Sequence, residues 1–581
     1  MSQYQENNSQ ENNTGNMYSY MGDKTNNDNN NKEEGDAIRR SIASGNPNYN
    51  YQQANEKPDV NYQYSGVINN PNNYGGAYRT SIEQEKNDTY NPFLNWVPYI
   101  VFGAVEVLVI TLIGCLYQWD MRNHPDYSLT NLIKIENRTE FDKIIVTATE
   151  DELNYYDGIF RDINIFVFVG FGMFHSLLKR YAWTAITINM VAIALSFQIG
   201  LFTNLLWANA FRESWKSGIL NYENFIKAIF NSCTILVSLG CVLGKLSPVQ
   251  YFIMIVFETV ISSLNFQLCD IKLEAIDVGG ALYIHTFGAI YGIAIYMVLF
   301  CSTKMKTNIN KYKYFNISNY FSNITSFIGV MFLFFYFPSF NSSLVTTNNA
   351  RYRAAISTYL SLTGSLVASF ILSAFLNKGR FAIEQILFGC FSGGVIISGC
   401  CSVNVDYWAA LLIGCLCGVI TVTMLNFVKS YFIEWGFNDI YNTIIVHGIP
   451  GLLGAFITSM MIGNIDNRTG DTDYHYVLVN DVNRENNIQA GVQIGAIFIN
   501  LGISFISGIA TGYLMKVSSC GRIEYYFTDS EFFENEKNII DNLEQYQFYY
   551  GEINRASLFQ NKLDFALPRI SDDRASGPNY N

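Results

Sequence analysis

Charged side chains are scarce in this chain of 581 residues. Asp, Glu, Lys and Arg make up only 15 % of it and apolar residues make up 49 %, whereas a soluble globular protein has about 25 % charged residues. The formal net charge is −12, and no basic stripe is present. The negative net charge argues against nucleic acid as a partner. The low charged fraction and the high apolar fraction indicate a membrane protein.

The sequence also lacks motifs for catalysis or for metal binding. No nucleophile or water-activating group stands in a recognisable catalytic motif. Cys400–Cys401 and Cys415–Cys417 do not have the spacing of a metal-binding set, and most of the 11 cysteines lie in apolar segments, where cysteine behaves as a small apolar residue. We therefore expect no enzymatic activity, no cofactor and no metal.

Long apolar runs are missing from both ends of the chain. Residues 1–94 are rich in Asn, and residues 518–581 are polar with acidic clusters such as "TDSEFFENEK". Such compositions are typical of disordered segments. No cleavable signal peptide is recognisable, so we expect the first apolar segment to direct insertion. The predicted organisation is a disordered tail at 1–94, a membrane domain at 95–517 and an acidic tail at 518–581.

Between the tails, apolar segments of about 20 residues recur, which is the length that crosses a bilayer as a helix. The predicted fold class is therefore an all-α integral membrane protein with about twelve transmembrane helices. The predicted spans are 97–117, 162–178, 183–205, 224–243, 249–268, 278–301, 320–340, 354–376, 383–400, 406–427, 440–462 and 491–515.

Lys and Arg indicate the orientation of these spans. They follow every second span, as at Lys179, Lys245 and Lys378, and the positive-inside rule assigns their loops to the cytoplasm. Both tails are then cytoplasmic, and the loop 118–161 faces outside. Asn137 opens an "NRT" in that loop, so we expect it to carry a glycan.

A spacing that occurs twice points to a functional site. An Asp stands eight residues before a His at Asp277/His285 and again at Asp439/His447. The two helices enter the membrane from opposite sides. Eight helical residues advance about 12 Å, close to half of the roughly 30 Å hydrocarbon core. The histidines are therefore predicted to approach the midplane together, as in an inverted repeat around a central site.

Each residue also has a simpler explanation. An Asp at a helix start is commonly a cap for free N–H groups, and a His in a membrane can hydrogen-bond a neighbouring helix. Two histidines at mirrored depth favour a transport path, because ionisable groups inside a membrane are costly and tend to mark such paths. Two histidines without further ligands do not complete a zinc site.

Several motifs resemble the Rhesus (Rh) glycoprotein branch of the ammonium transporter family, in that branch's order. They are "DINIFVFVGFGM", "VLGKLSPVQ", "DVGGALYIHTFGAIYG", "PSFNSS", "RAAISTY", "SGGVIISG" and "HGIPGLLG". The resemblance covers roughly residues 95–517. One departure is "IIVHG", where animal relatives carry Asn residues before the histidine.

The resemblance implies a homotrimer in the lipid bilayer with one apolar pore per subunit. It places His285 and His447 at the pore centre and assigns the outer gate to Phe230 and Phe340. Asp277 would support the outer vestibule, and Asp439 occupies the equivalent helix start. Ammonium would be recruited at the vestibule and ammonia would pass through the pore.

The alternatives are a carbon dioxide or general gas channel, and a non-conducting structural or sensing subunit. The expected location is the plasma membrane, with an internal vacuolar membrane as the alternative.

Overall fold

A computed structural model describes residues 92–119, 156–301, 316–345, 347–403, 405–464, 484–517, 523, 526–529 and 532–533. All of them lie in one compact unit, Asn91–Asn581. Asn137, residues 1–91 and most of 518–581 lie outside the described residues. The predictions for the glycan and for most of both tails therefore stay predictions. The tail boundaries differ from the predicted ones, because the first helix begins at Pro92, and Phe527 and Asp529 of the predicted C-terminal tail pack on the membrane domain.

Thirteen helical segments follow one another in the described residues. They are α1 (Pro92–Leu116), α2 (156–174), α3 (Ala182–Arg212), α4 (Tyr222–Val242), α5 (Pro248–Gln267, continued by a π-helix at Leu268–Leu273), α6 (Ala281–Phe300), α7 (Tyr320–Ser342), α8 (Asn348–Leu376), α9 (Ile383–Ile397), α10 (Tyr407–Phe427), α11 (Lys429–Trp435), α12 (Ile444–Gly463) and α13 (Asn486–Met515).

Each predicted span has a helix, and the all-α membrane fold is confirmed. Ten of the described helices are long and apolar enough to cross a membrane. The other two predicted spans correspond to α2, which is interrupted by a π-helix at Ile165–Phe171, and to α9. With 15 residues, α9 is about 22 Å long, shorter than the roughly 30 Å hydrocarbon core.

Several helix boundaries differ from the predicted ones. The span predicted to begin at 354 begins at Asn348, and the span predicted to end at 205 continues to Arg212. Hydropathy marks only the part of a helix that lies in hydrocarbon. Polar residues extend α8 and α3 beyond it, because the backbone hydrogen bonds of a helix continue into the interface.

Local sequence signals set some of the helix starts. The Ser247 hydroxyl accepts from the Gln250 backbone N–H, and the Gln250 side-chain oxygen accepts from the Ser247 backbone N–H. Pro248 occupies the first position of α5. Asn319 and Ser322 form the same reciprocal pair at α7. These capping boxes satisfy N–H groups that have no partner in the first helical turn.

A short parallel pair of strands was not predicted. β1 (Tyr117–Trp119) follows α1 and pairs with β2 (Gly218–Leu220), with Tyr117 opposite Gly218. The Tyr117 hydroxyl donates to the carbonyl of Leu201 at 2.6 Å. A Cβ at Gly218 would lie 2.5 Å from the Tyr117 ring, so a side chain there would displace the ring.

Small residues bring the helices close together. A Cβ at Gly414 of α10 would lie 2.0 Å from the carbonyl oxygen of Ser361 in α8, and one at Gly364 of α8 would lie 2.5 Å from that of Leu411 in α10. Small residues at such positions let membrane helices pack backbone to backbone.

The same close approach recurs in both halves of the chain. A Cβ at Gly292 in α6 would lie 2.6 Å from the carbonyl oxygen of Ser238 in α4. One at Gly454 in α12 would lie 2.2 Å from that of Ile396 in α9. In the predicted topology, which counts the short helix α9 as a span, α6 and α12 are the sixth and the eleventh spans and run in opposite directions. The packing therefore has the pattern of an inverted repeat.

Candidate functional site: a buried histidine pair

Both helices that carry the histidines begin with a π-helical turn. Ala281–Thr286 opens α6 and Ile444–Gly448 opens α12. Such turns are rare and occur often at functional sites. In both cases the histidine lies within the turn, so its side chain is aimed by a backbone that differs from a regular α-helix.

The two aspartates hydrogen-bond the backbone at the start of the two π-helical turns. One Asp277 carboxylate oxygen accepts the backbone N–H groups of Leu282 at 2.8 Å and Tyr283 at 2.9 Å. Asp439 accepts the backbone N–H of Thr443 at 2.5 Å and its hydroxyl at 3.2 Å. Asp277 thus satisfies N–H groups of the first turn of α6, and Asp439 satisfies the N–H group directly before α12, which is the capping role expected for both residues.

Glycines let the two histidine helices cross in contact. A Cβ at Gly451 of α12 would lie 2.5 Å from the carbonyl oxygen of Ala281 in α6, and one at Gly448 would lie 3.1 Å from the Ala289 Cβ. The helix axes can approach closely only because these positions lack side chains. This approach places the two imidazoles side by side.

His285 and His447 meet in the interior. Their Nδ1 atoms are 3.1 Å apart, and their ring centroids are 5.2 Å apart. Both side chains are buried, at 1 % and 3 % exposure. One Nδ1 must donate and the other accept, so two neutral rings take opposite tautomers. The Nε2 atom of His285 is buried and has no hydrogen-bond partner among the residues that the structure describes.

Aromatic rings enclose the pair. Phe391 lies 5.0 Å and Phe171 6.4 Å from the His447 ring, and Phe337 lies 6.1 Å from the His285 ring, all between centroids. All three phenylalanines are buried. The imidazoles therefore sit in a dry, apolar environment, where each hydrogen bond counts for more than it does in water.

Phe230 and Phe340 stack on each other. Their centroids are 4.7 Å apart and their planes differ by 26°. A third ring continues the stack, because Phe166 lies 4.7 Å from the other face of Phe340 at 18°. Phe337 contacts both Phe340, at 6.2 Å, and His285. An aromatic chain thus links the stack to the histidine pair.

A chamber lies beside the π-helical turn of α12. Its volume is about 140 Å³, and its lining includes Ile444, Ile445, Asp439 and the aromatic rings of Tyr296 and Phe437. Most of its lining residues are apolar.

Beside this chamber, in the loop between α4 and α5, the Lys245 ammonium donates to the Cys241 carbonyl at 2.8 Å. Burial lowers the pKa of Lys245 to about 8, and the Asp439 carboxylate opposes that effect.

The family model for the Ammonium Transporter Family matches residues 146–526. The chain belongs to the ammonium transporter family. It is 30 % identical over 460 residues to the ammonium transporter Rh type C of Bos taurus, and the match covers 77 % of this chain and 95 % of that protein. The predicted membership of the Rh branch is thereby confirmed.

Solved structures support the fold. The Rh50 structure of Nitrosomonas europaea aligns with a TM-score of 0.56 at 24 % identity, covering 70 % of this chain and 99 % of that one. The Mep2 structure of Saccharomyces cerevisiae aligns with a TM-score of 0.50 at 16 % identity, covering 63 % and 86 %. At these identities the likeness concerns the fold alone.

Several aromatic residues that lie at the site were not identified from the sequence. Phe166 and Phe171 lie within the quoted motif "DINIFVFVGFGM", yet nothing in the motif separates them from packing aromatics in a chain that is 15 % aromatic. Phe337 and Phe391 gave no signal for the same reason. Within the described residues, no group of three or more His, Cys, Asp or Glu could hold a metal.

Proposed function

We propose that this protein conducts ammonium nitrogen across a membrane, passing it as ammonia along the hydrogen-bonded pair of His285 and His447. The observation that carries the proposal is the buried pair itself, with its Nδ1–Nδ1 contact of 3.1 Å among aromatic rings. Membership of the ammonium transporter family supports the substrate class.

The dry surroundings favour a neutral species. A bare ion in an apolar passage loses its hydration without compensation, at a cost of many kcal/mol, whereas ammonia loses far less. Potassium and ammonium ions have similar size and charge, so size discriminates poorly between them. A required loss of the proton excludes potassium, since potassium has none to lose.

The histidines and phenylalanines have separate roles in this proposal. The Phe230–Phe340 pair excludes water at the outer entrance and can hold a cation over a ring face that the stack leaves free. The proton remains on that side, and ammonia enters. With opposite tautomers, the Nε2 atom of one ring is a donor and the Nε2 atom of the other ring is an acceptor. These two atoms can hydrogen-bond ammonia in turn. Asp277 and Asp439 hold the two π-helical turns.

The assembly and location belong to the same proposal. The chain is a homotrimer in the plasma membrane, with both termini in the cytoplasm and a glycan on Asn137. Family resemblance and the positive-inside distribution of Lys and Arg support this arrangement. Exposed apolar side chains on α7, α8 and α10, such as Phe335, Ile371 and Trp408, suit contact with lipid or with a neighbouring subunit.

The test is transport in proteoliposomes that contain the purified protein. An inward ammonium gradient is expected to raise the internal pH, because ammonia entering the vesicle takes up a proton there. A potassium gradient is expected to give no current. Empty liposomes set the background. An ammonium response equal to that of empty liposomes would contradict the proposal and favour a non-conducting subunit.

A neutral gas such as carbon dioxide is the second candidate, because the aromatic enclosure of the pair is apolar throughout. A gas needs no hydrogen bonds from the imidazoles. Carbon dioxide flux that exceeds the background and survives replacement of both histidines, without ammonium flux in the wild type, would favour this candidate.

A further inference from the structure

The two halves of the chain carry different residues at the left-handed position that precedes each π-helical turn. Three residues after Asp277 stands Gly280, and three residues after Asp439 stands Asn442. Both backbones are left-handed, with φ of 78° at Gly280 and 50° at Asn442. Glycine adopts this conformation without strain, whereas an asparagine there carries a steric cost.

The left-handed residue anchors the π-helical turn in each half. The Gly280 carbonyl accepts the N–H groups of Ile284 and His285, both at 3.0 Å. The Asn442 carbonyl accepts those of Ile445 at 2.8 Å and Val446 at 2.9 Å. The orientation of Asn442 therefore fixes the turn that carries His447.

Only the second half uses the extra side chain. A Cβ at Gly280 would lie 2.4 Å from the Ile284 side chain, so a side chain there would require Ile284 to move. The buried Asn442 amide instead donates to the Glu384 carboxylate of α9 at 2.9 Å. The same Glu384 oxygen accepts from the Lys429 ammonium at the start of α11. Lys429 and Asn442 both line the 140 Å³ chamber.

We propose that Asn442, held by Glu384 and Lys429, is a positioning residue that sets the placement of His447 for amine selection. The inference rests on the proposed ammonia conduction. The first half relies on glycine geometry alone, and the second adds a charge-assisted hydrogen bond that joins α9, α11 and α12. The strain at Asn442 is retained because its side chain makes this contact.

The decisive variant is Asn442→Gly, which installs the residue of the mirrored position. It removes the contact to Glu384 and relieves the left-handed strain, so folding and melting temperature are expected to be preserved. The readout is the ratio of methylammonium to ammonium flux, which does not depend on the amount of active protein. We expect the ratio to shift by at least about threefold, in the lower range of couplings between contacting residues.

Further variants assign the effect to the contact. Glu384→Leu should shift the ratio as Asn442→Gly does, and the double variant should shift it no further. Glu384→Gln keeps an acceptor for Asn442 and should shift it less. The matched control is Lys378→Gly, because Lys378 is also left-handed, with φ of 56°, but exposed in the loop between α8 and α9. Its ratio should equal that of the wild type.

Two outcomes would overturn the inference. One is an unchanged ratio in Asn442→Gly and Glu384→Leu, and the other is an additive shift in the double variant. A wild type without ammonium flux would instead refute the proposed function, so the two failures are distinguishable.

Discussion

At the scale of single residues, the shared hydrogen bond of His285 and His447 is the central feature of the site. Replacing either histidine with leucine leaves the other Nδ1 unpaired in a dry interior. A buried group without a partner costs about 1–3 kcal/mol, and about 1.4 kcal/mol corresponds to tenfold in rate. We expect His285→Leu and His447→Leu each to lower methylammonium flux per oligomer by about tenfold, as measured in proteoliposomes.

A carboxylate at the same place should act differently, because it can coordinate a cation. His285→Glu is expected to pass potassium current that the wild type excludes. Wild-type flux and selectivity in all of these variants would mean that the histidines serve packing only.

The phenylalanine stack can be dissected at the same scale. Phe340 lies between Phe230 and Phe166, so Phe340→Ala removes both ring contacts at once. We expect it to change ammonium selectivity or entry more than Phe166→Ala, which keeps the Phe230–Phe340 pair. The measurement compares the ammonium flux and the potassium current of the two variants. Equal behaviour of Phe340→Ala and the wild type would place the gate elsewhere.

At the scale of elements, the sequence predicted the histidine helices but not their π-helical starts. The Asp-to-His spacing, together with the opposite entry of the two helices, predicted that the two rings approach each other, since helix rise depends little on context. The π-helical turns and the left-handed Asn442 depend on how α6, α9 and α12 pack, and no local pattern encodes that packing. The role of Phe166 was hidden likewise, because many similar rings serve packing alone.

The crossing of these elements predicts where an added methyl group is not tolerated. A Cβ at Gly454 would lie 2.2 Å from the Ile396 carbonyl oxygen, so Gly454→Ala must push α12 away from α9. Overpacking of this kind costs about 1–3 kcal/mol. We expect a lower melting temperature in detergent. Gly502→Ala in α13 is the control, because nothing lies within 4 Å of that Cβ. Equal melting temperatures in both variants would contradict the close approach.

At the scale of the whole molecule, the two tails are expected to differ in importance. Residues 1–91 have the composition of a chain that cannot bury a core. Part of the predicted C-terminal tail, however, packs on the membrane domain. The Asp529 carboxylate accepts the backbone N–H of Thr184 at 2.8 Å and its hydroxyl at 2.7 Å, at the start of α3. Phe527 is buried, and its N–H donates to Gly244 at 2.9 Å.

Three truncations test this difference. Removal of residues 1–90 and removal of 534–581 should leave the melting temperature and the ammonium flux per oligomer unchanged. Removal of 526–581 should lower the melting temperature, because α3 loses a cap worth about 0.5–2 kcal/mol and the buried Phe527 ring is lost as well. The single variant Asp529→Ala isolates the cap and should show the smaller part of the loss.

If the truncation at 526 melted like the one at 534, the contacts of Phe527 and Asp529 would contribute nothing to stability. If removal of 1–90 abolished flux in protein that still reaches the membrane as the same oligomer, the N-terminal tail would have a role that its composition does not reveal.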